Sequence, residues 1–241
     1  MNFYDMSPLE KGLKEFGISL SIEQMGQLVR YYEILVEWNE IMNLTAITDF
    51  NEVLMKHFLD SLSIVKAVDM SKVENMIDVG TGAGFPGIPI KIVFPNVHVT
   101  LLDSLDKRIK FLNHVIEMLK LENIDTYHGR AEDFAKPDKL REKYDLVVSR
   151  AVANLNSLSE YCIPYVKEGG LFVSYKAETA EEEMKAAKGA IFLLGGKEKE
   201  VIHFNLPTTD ITRNLCVIEK KNKTPGKYPR KAGLPTKDPL K

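Results

Sequence analysis

The chain has 241 residues, 44% hydrophobic and 27% charged, with a formal net charge of −2, which suits one large globular domain with an extension. No apolar run is long enough for a membrane span, and MNFYDMSPLEKG lacks the basic region and apolar core of a secretory signal. Two cysteines, Cys162 and Cys216, and five scattered histidines exclude a disulfide framework and a zinc cluster, so a metal-free cytoplasmic protein is expected.

Residues 1–70, with five Lys/Arg against eleven Asp/Glu, read as a helical cap. Ser7-Pro8-Leu9-Glu10 sets a capping hydroxyl, an N1 proline and a reciprocal Glu for a first helix, which Gly17 ends. Ser21-Ile22-Glu23-Gln24 repeats the capping pattern. Behind it Ile22, Met25, Leu28/Val29, Tyr32 and Leu35/Val36 recur at helical steps, a stripe taken as core packing. Residues 50–62 predict another helix. From residue 73 strands and helices alternate. Strands are predicted over 74–79, His98–Asp103, Ile124–His128, 144–149 and 170–175, with a helix stepping through Leu105, Ile109, Leu112, Ile116 and Leu119. That rhythm implies a parallel, doubly wound sheet over residues 71–220. After a helix at 178–194, KEVIHFNL and ITRNLCVIEK are joined by a short turn without a helix, so the seventh strand is expected antiparallel. Residues 221–241 read as a basic tail whose four prolines (225, 229, 235, 239) should keep it extended. Residues 220–241 hold eight Lys/Arg against one acid, which fits a polyanionic partner or a solvated terminus.

The first strand runs into IDVGTGAGFPGIPI, with Gly80, Gly82 and Gly84 at alternate positions. Such glycines let a backbone turn sharply and a ligand approach it, and the loop lies where open α/β sheets bind ligands. From Gly82 the string satisfies a dinucleotide fingerprint, but Pro86 and Pro89 each remove an N–H that a pyrophosphate would use. Asp103, ending the second strand, can accept the hydroxyls of a ribose, whether nicotinamide or adenosyl. Ala131-Glu132-Asp133 is a polar loop suited to an adenine ring. The antiparallel last strand is the habit of class I S-adenosylmethionine-dependent methyltransferases.

DVGTGAGFPGIPI, LLDSLDKRIKFL, GRAEDF and SRAVANL, with WNEIMNLTAIT, KHFLDSL and KYPRKAGLPTKDPL, resemble the bacterial RsmG (GidB, glucose-inhibited division protein B) family over nearly the whole chain. The resemblance implies a Rossmann-like class I methyltransferase fold and methylation of N7 of one guanine in the 530 loop of 16S ribosomal RNA. It also implies that Gly80 and Phe85, with Gly82 beside them, line the S-adenosyl-L-methionine site. Asp103 would hold the ribose, Ala131 and Glu132 the adenine, and Arg150 would face the reaction centre.

The chemistry is compatible. A sulfonium methyl is already activated, and guanine N7 has a lone pair and no proton, so positioning suffices and no general base is required. No catalytic residue is therefore assigned. An exocyclic-amine methyltransferase would want an Asn/Asp-Pro-Pro-aromatic motif where Ser149-Arg150-Ala151-Val152 stands. A pyrimidine-carbon enzyme would want a cysteine there, and Cys162 comes too late, at apolar spacing. Arg150 can orient the guanine or a phosphate, support the cofactor loops, or form a structural ion pair. Asp103 could merely cap a helix, although Ser104 can do that; Glu132 could be a solvated acid. His57 and Asp60 could lie near the site, but a buried, satisfied histidine is the commoner outcome, so neither is assigned to it. Lys227, Tyr228, Arg230 and Lys231 are candidates for contact with 16S rRNA or the small subunit, the lysines and arginine on phosphates and Tyr228 stacked on a base. The protein is expected to act as a monomer. Rival readings are a nicotinamide oxidoreductase, for which too little chain follows residue 176, a non-catalytic RNA-binding module, and a small-molecule methyltransferase.

Overall fold

The computed structural model describes residues 4–177 and 179–241. Seven strands, β1 (Asn75–Val79), β2 (His98–Asp103), β3 (Ile124–His128), β4 (Tyr144–Arg150), β5 (Val166–Lys176), β6 (Gly196–Asn205) and β7 (Thr212–Lys220), form one sheet in the order β3-β2-β1-β4-β5-β7-β6. β1 to β5 are parallel, and β7 runs antiparallel to both β5 and β6. Strand order reverses between β1 and β4, so a crevice opens beyond their carboxyl ends. Alternate strand residues feed two cores: Val99, Leu101, Leu146 and Val148 on one face, Ile77, Val79, Leu102 and Val147 on the other.

The first face carries α5 (Gly87–Val93), α6 (Asp106–Met118) and the N-terminal helices. Leu9, Leu28, Ile34 and Phe58 belong to the same core as the strands they cover, so the helical cap and the sheet share one apolar interior. In α1 (Ser7–Glu15) the helix begins one residue earlier than Ser7-Pro8 suggests. Ser7 is inside it, and Asp5 Oδ1 accepts from the Ser7 N–H at 3.0 Å. In α2 (Ile22–Met42) the predicted capping box forms between Ser21 and Gln24. Its buried stripe is rotated from the expected one, with Leu28, Tyr31, Ile34 and Leu35 inside and Ile22 87% exposed. A helix end is easily mis-phased by an apolar residue that the neighbouring layer does not reach. The predicted helix over 50–62 is α3 (Phe50–Val53), a π-helical turn (Leu54–Leu59) and α4 (Asp60–Leu62).

The second face carries α7 (Ala131–Phe134), α8 (Leu155–Cys162) and α9 (Ala180–Leu193). The C-terminal segment is not extended as its prolines suggested. Tyr228 is buried in this core, and a short helix, α10 (Leu234–Lys237), packs against α8. The reason lies in buried polar partners. Lys220 Nζ donates to Ile163 O and Thr224 Oγ1, and Arg141 donates to the carbonyls of Tyr228 and Pro225. Glu160, fully buried, receives the Arg230 guanidinium at 2.8 Å. Among the described residues no helix is long and apolar enough to cross a membrane.

Candidate functional site

The loop after β1 is fastened from below by Asp78. Its Oδ2 accepts from Thr81 Oγ1 at 2.7 Å and Gly87 N at 2.9 Å, while Oδ1 has no partner among the described residues. Burial pushes this carboxyl up to about 6. Gly80 N and Thr81 N both donate to Leu102 O, and Gly82 N donates to Asp103 Oδ2, which stitches the loop to the end of β2. Gly80 adopts φ +74°, and a Cβ there would lie 2.6 Å from Val152. At Gly84 (φ +93°) a Cβ would meet Tyr31 Oη at 2.7 Å. Tyr31, reaching down from α2, donates to Ala83 O and stacks on Phe58. Thus α2 closes the outer side of the loop. The first-turn amides of α5 are already used, Gly87 N on Asp78, Ile88 N on Gly84 O and Ile90 N on Pro86 O. With Pro89 lacking a donor, this turn offers no free N–H to a dinucleotide pyrophosphate.

Beside the loop lies a cleft of about 530 Å³, within the roughly 300–1,000 Å³ usual for small-molecule sites. Gly80, Asp103, Ala131 and Glu132, four of the candidate cofactor residues, line it. Asp103 is held by three N–H donors: Gly82 N (2.9 Å), Leu105 N (3.0 Å) and Arg108 Nη1 (3.1 Å). It therefore does act on the start of the following helix, in addition to facing the cleft. Glu132, also buried, accepts from Gly233 N at 2.8 Å, and Ala131 O accepts from Tyr165 Oη. The cleft also has walls that motif reading did not supply: Arg108, Tyr161, Thr236 and Pro239. Arg108 sits in the same LLDSLDKRIKFL string as Asp103 and was legible there; the others come together only through the packing of α8 and the C-terminal segment.

Phe85 and Arg150 do not line this cleft. They gather in a second cluster under the cap. Arg150 Nη1 donates to Asp60 Oδ2 at 2.8 Å and Nη2 to His57 Nδ1 at 3.3 Å, and its guanidinium lies 5.3 Å over the Phe85 ring. His57 stacks on the other partner of this group, Phe85, with centroids 4.4 Å apart. Since arginine can only donate, Nδ1 is the acceptor and Nε2–H bonds Thr45 Oγ1 at 3.0 Å. Burial, reinforced by Arg150, holds the imidazole down at about 4, hence neutral. The KHFLDSL string thus supplies two partners of Arg150: His57 is satisfied, the commoner outcome, and both it and Asp60 are joined to a candidate site residue.

In the C-terminal segment Tyr228 is buried, 7% exposed, and Arg230 is committed to Glu160. This corrects their expected place on RNA: a buried ring offers no face to a base. Lys227 and Lys231 are exposed. Cys162 packs in the core as expected and its thiol is pushed well up by burial; burial pushes Cys216 up to about 12.

Comparison with known proteins fits this geometry. The family described as rRNA small subunit methyltransferase G matches residues 24–216. Ribosomal RNA small subunit methyltransferase G of an Exiguobacterium strain is 54% identical, covering 95% of this chain and 97% of its own. The protein of that name from Bacillus subtilis is 53% identical, covering 95% and 96%. Among solved structures, the YcgJ protein from Bacillus subtilis superposes with a TM-score of 0.53 at 12% identity, covering 69% of this chain and all (100%) of its own. M. jannaschii TYW2, crystallised with AdoMet, superposes with a TM-score of 0.50 at 17% identity, covering 61% and 69%. These two share the fold. At this level of identity and coverage to its relatives, the chain belongs to the ribosomal RNA small subunit methyltransferase G family, S-adenosylmethionine-dependent rRNA methyltransferases of the class I fold.

Proposed function

We propose that this protein methylates N7 of a single guanine in the 530 loop of 16S rRNA, acting as a cytoplasmic monomer on the small ribosomal subunit or its RNA. The observation that carries this reading is the state of the titratable groups around the cleft. The carboxylates there, Asp103 and Glu132, are each engaged by N–H donors, and both cysteines are buried with raised thiols. Such a site suits an acceptor that needs neither a base nor a nucleophile, and N7 of guanine is one.

The residues present fit S-adenosylmethionine. A carboxylate at the tip of β2 suits a ribose, and Gly80 and Gly129 stand on the cleft wall beside it. When bound, that cofactor supplies a methyl group activated by its sulfonium. Asp103 binds the ribose hydroxyls, and Ala131 and Glu132 border the adenine. Gly82 keeps Asp103 turned into the cleft. Phe85 and Arg150 act by holding the glycine loop against the cap, which leaves base selection to the surface around the cleft. Lys227 and Lys231 neutralise phosphates.

The test is transfer of labelled methyl from S-adenosylmethionine to 16S RNA and to small subunits lacking the modification, with borohydride–aniline cleavage to map 7-methylguanosine. One new cleavage in the 530 loop, lost with Asp103→Ala, is expected. Cofactor binding with no label in any RNA would overturn the reading in favour of a small-molecule acceptor.

A further inference from the structure

We infer that the last ten residues, 232–241, form a wall of the cofactor site, and that Glu132 is the residue that docks them, so that cofactor binding and strap docking are one coupled equilibrium. The inference rests on the cleft being the cofactor site.

Thr236 and Pro239 line the same cleft as Asp103 and Ala131, although more than a hundred residues of chain separate them. Each part of the strap is tied to an element that also borders the cleft. Glu132 Oε1 accepts from Gly233 N at 2.8 Å, Ser157 Oγ donates to Pro235 O at 2.8 Å, and Tyr161 Oη pairs with Thr236 Oγ1 at 2.6 Å. Of these partners, Glu132, Ser157 and Tyr161 are themselves cleft-lining residues. The strap's upstream anchor is strong, since Arg230 grips buried Glu160 through Nε and Nη2. Beyond that anchor most of the strap faces solvent: Leu234, Thr236, Lys237 and Asp238 are exposed and Pro235 is buried, while Arg230 Nη2 donates to Asp238 O at 2.7 Å, Asn156 Nδ2 donates to Leu240 O at 3.0 Å and Leu240 packs, half-buried, against the second core. A segment held by a few polar contacts over little buried apolar surface opens locally at low free energy. A ligand that touches only the docked form must stabilise docking, and docking must strengthen the ligand by the same factor. This also gives the Glu132 carboxylate a definite task. It is a positioning residue whose side chain holds the strap, while its place beside Ala131 keeps it at the cleft wall.

The test uses the full chain and two readouts. First, tryptic cleavage after Lys231 is timed with and without saturating S-adenosylmethionine; the cofactor is expected to slow release of 232–241 by about tenfold or more. This needs no substitution. Second, cofactor affinity is measured calorimetrically for the wild type, Asp103→Ala, Glu132→Ala, Glu132→Gln and Tyr161→Phe. Glu132→Ala is expected to weaken binding about tenfold and Tyr161→Phe about threefold, the loss of one hydrogen bond to the strap in each case. Glu132→Gln keeps an oxygen for Gly233 N–H and should restore most of the affinity. Unchanged cleavage with cofactor, together with wild-type affinity in Glu132→Ala and Tyr161→Phe while Asp103→Ala fails to bind, would overturn the strap as a wall but keep the cleft. Wild-type affinity in Asp103→Ala would instead overturn the cleft as cofactor site, and this inference with it.

Discussion

Asp60 of the helical cap holds Arg150 at the tip of β4 through a 2.8 Å contact, and its second oxygen takes Arg213 Nε of β7 at 3.0 Å. One carboxylate, 3% exposed, therefore joins three elements that are far apart in sequence. Removing one partner of a buried pair leaves the other charge stranded, at a cost of about 3–5 kcal/mol. Asp60→Ala should lose that much stability in urea unfolding. Asp60→Asn, which keeps one acceptor oxygen, should lose visibly less. A loss under about 1 kcal/mol for Asp60→Ala would show that solvent screens the pair.

The two groups flanking the glycine loop respond to pH in opposite directions. His57, held at about 4 against an ordinary 6.5, contributes stability that is full above 6.5 and drains away as pH falls toward 4. Asp78, raised to about 6 from 3.8, does the reverse: its contribution is full below 3.8 and is lost as pH rises through 6. Between about pH 6.5 and 4.5 each amounts to about 2 kcal/mol, so they nearly cancel in the wild type. His57→Gln should therefore gain stability on acidification relative to wild type, and Asp78→Asn should lose it. Unfolding midpoints at the two pH values decide this; parallel curves for all three proteins would mean neither group is shifted.

The glycines of the loop are not equivalent. At Gly82 (φ +62°) an added Cβ meets nothing within 4 Å, so Gly82→Ala carries only backbone strain, about 1–2 kcal/mol. At Gly84 the Cβ would also press on Ile88 Cδ1 at 2.6 Å and Tyr31 Oη at 2.7 Å. The isoleucine tip can swing aside, but the buried Tyr31 ring, bonded to Ala83 O, cannot. Gly84→Ala should cost at least about 2 kcal/mol more than Gly82→Ala, because it also displaces a buried hydrogen bond. Thermal or urea unfolding of the two variants side by side tests the ranking, and equal losses would refute it.

Much of this was readable from the chain because local signals and the global fold agreed. Strand, glycine loop, acid-tipped second strand and antiparallel end each follow from short-range pattern, and β1, β2 and β3 fall within a residue of their predicted bounds. What sequence could not supply were pairings made across long separations. Asp60 with Arg150, Glu132 with Gly233 and Glu160 with Arg230 are each 70 or more residues apart. Composition made the same error at the tail. Prolines and lysines suggested an extended, solvated segment, because nothing local reveals that Glu160 and Arg141 wait in the body to bind it. Phe85 and Arg150 were named by motif, yet the motif could not say which side of the loop they support.

The tail's basic residues now divide into two kinds, and the division can be measured. Arg230 is paired with fully buried Glu160, so Arg230→Ala should destabilise the fold by about 3–5 kcal/mol by leaving that carboxylate unpaired. Lys227 and Lys231 are exposed and make no ion pair among the described residues. Replacing both with alanine should leave the unfolding midpoint within about 0.5 kcal/mol of wild type. If they neutralise phosphates, the same double variant should bind 16S RNA or small subunits more weakly at low salt. Its plot of log affinity against log salt should be shallower by about one to two, since each lost phosphate contact removes nearly one unit of slope. A double variant with unaltered slope would place the RNA elsewhere on the surface and leave the tail with the strap's structural duty alone.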